Sequence, residues 1–152
     1  RNNYKMIDFE YNFVRNKYEM LIDKSQISRV FQNLIINSIH SIQDANLSVG
    51  KIIVESSVTN NDLNISILDN GVGLKYEKNE LIKPYFTTKR NGSGLGLPIV
   101  NKIINDHNGK IEFIPLDDGA KIKIDFINIC ILNIRGIKHY CNTRFINYIV
   151  HI

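Results

Sequence analysis

Between about Lys24 and Asp44 the apolar residues recur at helical spacing, and this stretch constrains the fold more than any other. At about 100° per residue, Ile27, Val30, Phe31, Leu34, Ile35 and Ile42 share one arc, with Ser38 and Ser41 inside it. A helix of that length with one apolar face must bury the face against a second layer. Asp23, followed three residues later by Gln26, has the form of a capping box with Asp in place of Ser or Thr, and marks the start.

The second layer comes from the rest of the chain. Residues 51–58 and 63–69 are β-branched runs around the polar turn Thr59-Asn60-Asn61-Asp62, a hairpin signal. In the later run Leu63, Ile65 and Ile67 alternate with Asn64 and Ser66. It ends in Asp69-Asn70-Gly71-Val72-Gly73, which delivers a carboxylate to the sheet edge where backbone can approach closely. Residues 74–91 have no clear period and read as a long loop, of the kind that serves as a lid or binding loop. A second helix follows, with Ile99, Val100, Ile103, Ile104 and His107 on one face. Pro98 suits its first turn and Gly109 is placed to stop it. Residues 110–115 and 120–126 read as a closing strand pair. Residues 1–20, with apolar points at Met6, Ile7, Phe9, Phe13 and Val14, hold one or two short strands. This order predicts a two-layer α/β (α+β) sandwich: a mixed sheet of about five strands with about three helices on one face.

A length of 152 residues suits one domain with a single core. The formal charge is +4, yet residues 127–152 hold Arg135, Lys138 and Arg144 and no acid. Outside them, 16 of the 19 basic residues face 15 acidic ones. The basicity belongs to a tail, so no nucleic-acid partner is expected. The only cysteines, Cys130 and Cys141, also lie there, which excludes a disulfide scaffold and points to a reducing, cytoplasmic setting. Apolar runs fall short of the roughly 20 residues of a spanning helix, and no signal peptide opens the chain, so a soluble chain without membrane contact is expected.

Asn33, Asn37 and His40 fall together on one flank of the first helix's apolar arc. They either point at a single ligand or form a solvated border, and periodicity alone favours the border. Gly92, Gly94 and Gly96 precede the second helix without the Gly-Lys-Ser/Thr ending of a phosphate loop. Leu97 stands where a dinucleotide fingerprint needs Gly. Three alternate glycines there either bring N–H groups and the helix dipole to a phosphate chain or form a hinge.

The combination is far more specific than its parts. Asn-Leu-Ile-Ile-Asn-Ser on a helix is followed by Asp-Asn-Gly-Val-Gly-Leu after a strand, then Lys-Pro-Tyr-Phe-Thr-Thr-Lys, then Gly-Ser-Gly-Leu-Gly-Leu-Pro-Ile-Val. This resembles the N box, first glycine box, F box and second glycine box of sensor histidine kinase catalytic domains, over residues 23–126. The F-box form is most similar to nitrogen-regulation-type sensors. The resemblance implies the Bergerat-type ATP-binding fold of the GHKL superfamily, with a flexible ATP lid and with ATP and Mg²⁺ as cofactors. It makes Asn37 the Mg²⁺ ligand, with Asn33 one turn back and Lys89 of the lid completing the catalytic set. Asp69 would accept from the exocyclic amine of adenine, and Gly71 and Gly73 would let backbone and water reach the ring. Phe86, Thr87, Thr88 and Lys89 would belong to the lid. Gly92, Gly94 and Gly96, with Leu97 after them, would form its far hinge and the phosphate cradle. His107 resembles a helix-ending His-Gly pair, a structural role. Cys130, His139, Cys141 and His151 fit no zinc spacing.

The resemblance further implies that bound ATP gives its γ-phosphoryl group to a histidine on a separate helical dimerisation domain, with a response regulator receiver domain as further partner. None of His40, His107, His139 and His151 stands in the family's acceptor context, so the acceptor is expected elsewhere. Full-length relatives are usually anchored in the inner membrane with this domain in the cytoplasm. The chain thus divides into residues 1–126, the ATP-binding domain, and residues 127–152, a basic Ile- and Asn-rich tail that is either an added element or read-through. Two alternatives remain. One is another GHKL ATPase, although those carry a Glu where Asn33 stands, and Asn is no general base. The other is a non-catalytic ATP-binding module.

Overall fold

A computed structural model describes residues 6–14, 18–20, 22–89, 92–127 and 130–131. Arg135, Lys138, His139, Cys141, Arg144 and His151 lie outside the described residues.

Five strands form one mixed sheet. They are β1 (Met6–Asn12), β3 (Val49–Thr59), β4 (Asp62–Asp69), β6 (Ala120–Phe126) and β5 (Gly109–Pro115), in that spatial order. β1 runs parallel to β3 and every other pairing is antiparallel. A parallel pair needs a crossover, and the helix α1 (Lys24–Asp44) supplies it. The short strands β2 (Tyr18–Glu19) and β7 (Cys130–Ile131) pair antiparallel beside this sheet. Helix α3 (Gly96–Asp106) packs against α1 and β5, while α1 packs on β3 and β4. The expected two-layer sandwich is therefore present. Between its layers Val30, Leu34 and Ile42 of α1 meet Ile52, Ile67 and Ile124 of the sheet and Val100 and Ile104 of α3, all at most 2% exposed.

The helix boundaries follow from local chemistry. Asp23 caps α1: its carboxylate accepts from the N–H groups of Ser25 (2.9 Å) and Gln26 (3.1 Å). The Ser25 hydroxyl and the Gln26 N–H hold its carboxyl at about 2. The reciprocal half of a capping box is missing, because the Asp23 N–H donates instead to His107 Nε2 at 3.0 Å. That bond ties the start of α1 to the end of α3, so the two helices run in opposite directions. The hairpin turn has both central residues left-handed, Asn60 at φ 54° and Asn61 at φ 64°, as a two-residue type I′ turn requires.

Two expectations need correction. The residue that turns the chain out of α3 is Asn108 (φ 55°), not Gly109. Gly109 meets a different need, since a Cβ there would stand 2.9 Å from Ile104 Cγ2. The segment after Gly73 is also more than a loop: it holds a one-turn helix, α2 (Lys78–Leu81), with no buried residue.

Candidate functional site

A cleft of about 370 Å³ opens between α1, the end of β4, the segment 72–95 and the start of α3. It lies in the range of small-molecule sites. Asp69 lines it and is only 8% exposed. Burial pushes its carboxyl up, against hydrogen bonds from the Gly71 N–H and the Ser38 and Ser41 hydroxyls. The Gly71 bond is 3.0 Å long. These donors explain the two serines inside α1's apolar arc: they turn toward the buried Asp69 carboxylate. A polar residue at a core position of a helix is the signal that a partner exists, although it does not identify the partner.

The motif that carries Asp69 is pinned on both sides. Asn70 accepts from the Lys51 N–H at 2.7 Å and donates its own N–H to Lys51 O at 3.3 Å. Gly73 takes φ 74°, and a Cβ there would approach Gly119 O at 2.9 Å. Gly71 departs from expectation, because it does not line the cleft. A Cβ at Gly71 would strike the Ser41 and Ile42 backbone, so this glycine lets the loop lie flat against α1. Its contribution to the site is its N–H on Asp69. Phe113, Ala120 and Ile122 make the apolar wall beside Asp69. They come from sheet positions that pattern alone assigns to the core.

The opposite end of the cleft is polar. Asn33, Asn37 and His40 of α1 all line it. Asn33 donates Nδ2 to Arg29 O at 2.8 Å, which turns its amide back on its own helix. Its oxygen faces Gly96, where a Cβ would come within 2.9 Å of it. From the other side Lys89 reaches in: Nζ donates to Asn37 Oδ1 at 2.7 Å and lies 2.9 Å from His40 Nδ1. An ammonium has no lone pair, so His40 Nδ1 is the acceptor and the ring proton is on Nε2. Burial, and then the Lys89 charge, push His40 down. Burial likewise pushes the Lys89 ammonium down, with Asp44 acting the other way.

Thr87, Thr88, Gly92, Gly94, Gly96 and Leu97 also line the cleft, as does Phe86. Phe86 meets Tyr76 edge to face, with centroids 5.0 Å apart. Tyr76 had no signal in the sequence, since its segment has no period. The Tyr85 N–H donates to Gly94 O at 3.0 Å. Gly94 has φ 66°, and a Cβ there would stand 2.7 Å from Tyr85 Cα.

The cleft thus combines a buried carboxylate beside apolar walls with an amide oxygen, backbone and hydroxyl donors and a cation at the far end. That is a binding surface for a flat, N–H-bearing ring joined to an anionic chain. Among the described residues no three His, Cys, Asp or Glu side chains could hold a metal by themselves. A metal here would depend on a ligand's own oxygens for most of its shell. Also among the described residues, no helix is long and apolar enough to cross a membrane.

Comparison with known proteins agrees with this geometry. The family model described as histidine kinase-, DNA gyrase B- and HSP90-like ATPase matches residues 22–128. The nitrogen regulation protein NtrY of Azorhizobium caulinodans is 39% identical in an alignment 108 positions long that covers 67% of this chain and 14% of NtrY. The sensor histidine kinase ZraS of Escherichia coli O157:H7 is 36% identical in an alignment of the same length that covers 70% of this chain and 23% of ZraS. The chain therefore spans less than a quarter of the length of either relative. The solved catalytic domain of the histidine kinase ThkA superposes with a TM-score of 0.68 at 31% identity, covering 80% of this chain and 79% of that domain.

Proposed function

Because the chain belongs to the histidine kinase-, DNA gyrase B- and HSP90-like ATPase family, with sensor histidine kinases among its relatives, we propose that it binds Mg-ATP as a phosphoryl donor. The donated γ-phosphoryl group would pass to a histidine of a separate dimerisation domain, and onward to a receiver domain, in the cytoplasm. The observation that carries this reading is the pairing of a buried Asp69 with a cation-binding Asn37 across one cleft.

Each end has a task. Asp69 accepts from the exocyclic amine of adenine, a contact that guanine cannot make because it presents a carbonyl there. A buried carboxylate left facing that carbonyl loses its partner, which is how a polar site discriminates steeply. Phe113 and Ile122 flank the ring. Thr87, Thr88 and the N–H groups at the start of α3 lie toward the phosphates. Asn37 fits a magnesium ligand: its oxygen already holds a positive group in this structure, and an amide oxygen suits a hard cation. Magnesium, when bound, neutralises charge on the phosphate oxygens. The chain's own work is to position the nucleotide and exclude water as the lid closes.

Asn33 supports transfer over hydrolysis, since its amide cannot activate water and is bonded to its own helix. Titration of ATP and GTP in Mg²⁺ tests the reading, followed by incubation of the chain with a histidine-bearing helical domain and labelled ATP. The expected result is ATP preferred over GTP by at least about a hundredfold, with label on histidine and negligible ATP turnover by the chain alone. Robust intrinsic hydrolysis would instead support a gyrase- or chaperone-like ATPase, and ATP binding without any transfer a non-catalytic module.

A further inference from the structure

The cleft carries its own cation. Lys89 Nζ sits between two acceptors on one face of α1, Asn37 Oδ1 at 2.7 Å and His40 Nδ1 at 2.9 Å. Both acceptors are uncharged, so the bonds come from aimed lone pairs rather than from a salt bridge. The nearest carboxylate along the helix is Asp44, which also lines the cleft. The lysine is held at its other end by a self-bonded turn: its N–H donates to Thr87 Oγ1 at 3.1 Å and its carbonyl accepts from the Gly92 N–H at 3.1 Å. A divalent ion on Asn37 Oδ1 would lie within a few ångströms of the ammonium, and like charges at that distance repel strongly where burial weakens screening.

We propose that Lys89 is the resident counter-cation of this cleft, occupying Asn37 when metal is absent and yielding it when a divalent ion arrives with the nucleotide. The proposal rests on the ATP reading above. Without metal, Lys89 is already in position to meet the phosphates. With metal, it is displaced from Asn37 and no longer adds to the hold on the phosphates. The lysine narrows the gap between nucleotide affinity with and without Mg²⁺, because it substitutes for the ion in one state and is displaced in the other.

The test is ATP affinity of the full chain in excess Mg²⁺ and in chelator, for wild type and for Lys89→Met, which keeps an unbranched stem and removes the charge. The variant should lose about tenfold in chelator, the worth of one charge-assisted contact, and less than about threefold in Mg²⁺. Its metal dependence thus widens. Equal losses in both buffers would make Lys89 a plain phosphate clamp and overturn the proposal, as would no loss in either. A second readout needs no nucleotide. Mn²⁺ alone should broaden the His40 ring proton signals at lower concentration in Lys89→Met than in wild type, and the same or higher concentration would overturn it. Lys89→Gln repeats both measurements should the Met variant misfold. A wild-type chain without ATP affinity in either buffer refutes the ATP reading itself, whatever the Mn²⁺ result.

Discussion

The two walls of the cleft are built by opposite means. The α1 wall is set by folding: Val30, Leu34 and Ile42 anchor the helix in the core, and Ser38 and Ser41 meet Asp69 from the same buried face. The lid has no such anchor. Helix α2 buries nothing, and among the described residues the segment is tied to the body by Leu74 against the core, by Lys78 Nζ on Ile111 O at 2.7 Å and by the Lys89 contacts, with one ring pair and the Tyr85–Gly94 bond inside it. Segments with few buried apolar contacts open at low cost. The Asp69 end of the site is therefore formed before any ligand arrives, whereas the Lys89 end is held by contacts that a ligand can replace.

The sharpest way to break this contrast is Asp69→Asn. It removes the charge from the formed wall, and ATP affinity should fall by at least about a hundredfold. Stability should move the other way at neutral pH. Burial raises the folded-state pKa of Asp69, so folding favours the protonated carboxyl. The penalty is absent well below the ordinary value of 3.8 and is complete above the raised one. Asp69→Asn should thus be more stable than wild type near pH 7, with the gap closing as pH falls toward that ordinary value. Denaturant titration at several pH values reads this directly. A variant that is less stable at every pH would mean that the carboxylate is structural rather than reserved for a ligand.

The same contrast explains what could be read in the sequence. The bounds of α1 and the hairpin are visible because burial imposes a period of 3.6 or 2. Asp69 is visible because it ends such a strand. Helix α2 and Tyr76 are not, because a turn without buried residues leaves no period. The parallel pairing of β1 with β3 is also silent, since no hairpin turn marks a crossover. Gly71 and Gly73 look alike in one motif yet answer to different neighbours, α1 for the first and Gly119 for the second. Only the packed structure separates them.

A lid variant should give an intermediate effect. In Gly94→Ala the new methyl would stand 2.7 Å from Tyr85 Cα and 2.8 Å from Phe86 N, at a φ of 66°. Left-handed strain of this sort costs about 1–3 kcal/mol. If the lid opens independently of the core, that cost falls on ATP affinity, roughly tenfold, and leaves the melting temperature almost unchanged. A drop in melting temperature matching the loss in affinity would show that lid and core fold as one unit, which would erase the contrast between the walls.

The smallest effect on the site should come from the far ends of the same helices. His107 Nδ1 lies 2.8 Å from Ile103 O, and Nε2 accepts the Asp23 N–H, which together require the proton on Nδ1. The ring is a neutral staple between the end of α3 and the start of α1, at the opposite end of each helix from the cleft residues Asn37 and Gly96. His107→Ala should cost about 1–2 kcal/mol of stability through the lost bonds, while ATP affinity stays within about twofold. Denaturation and nucleotide titration on one preparation separate the two quantities. An affinity loss as large as that of Gly94→Ala would mean that the angle between α1 and α3, and not the local chemistry of Asp69 and Asn37, sets the width of the cleft.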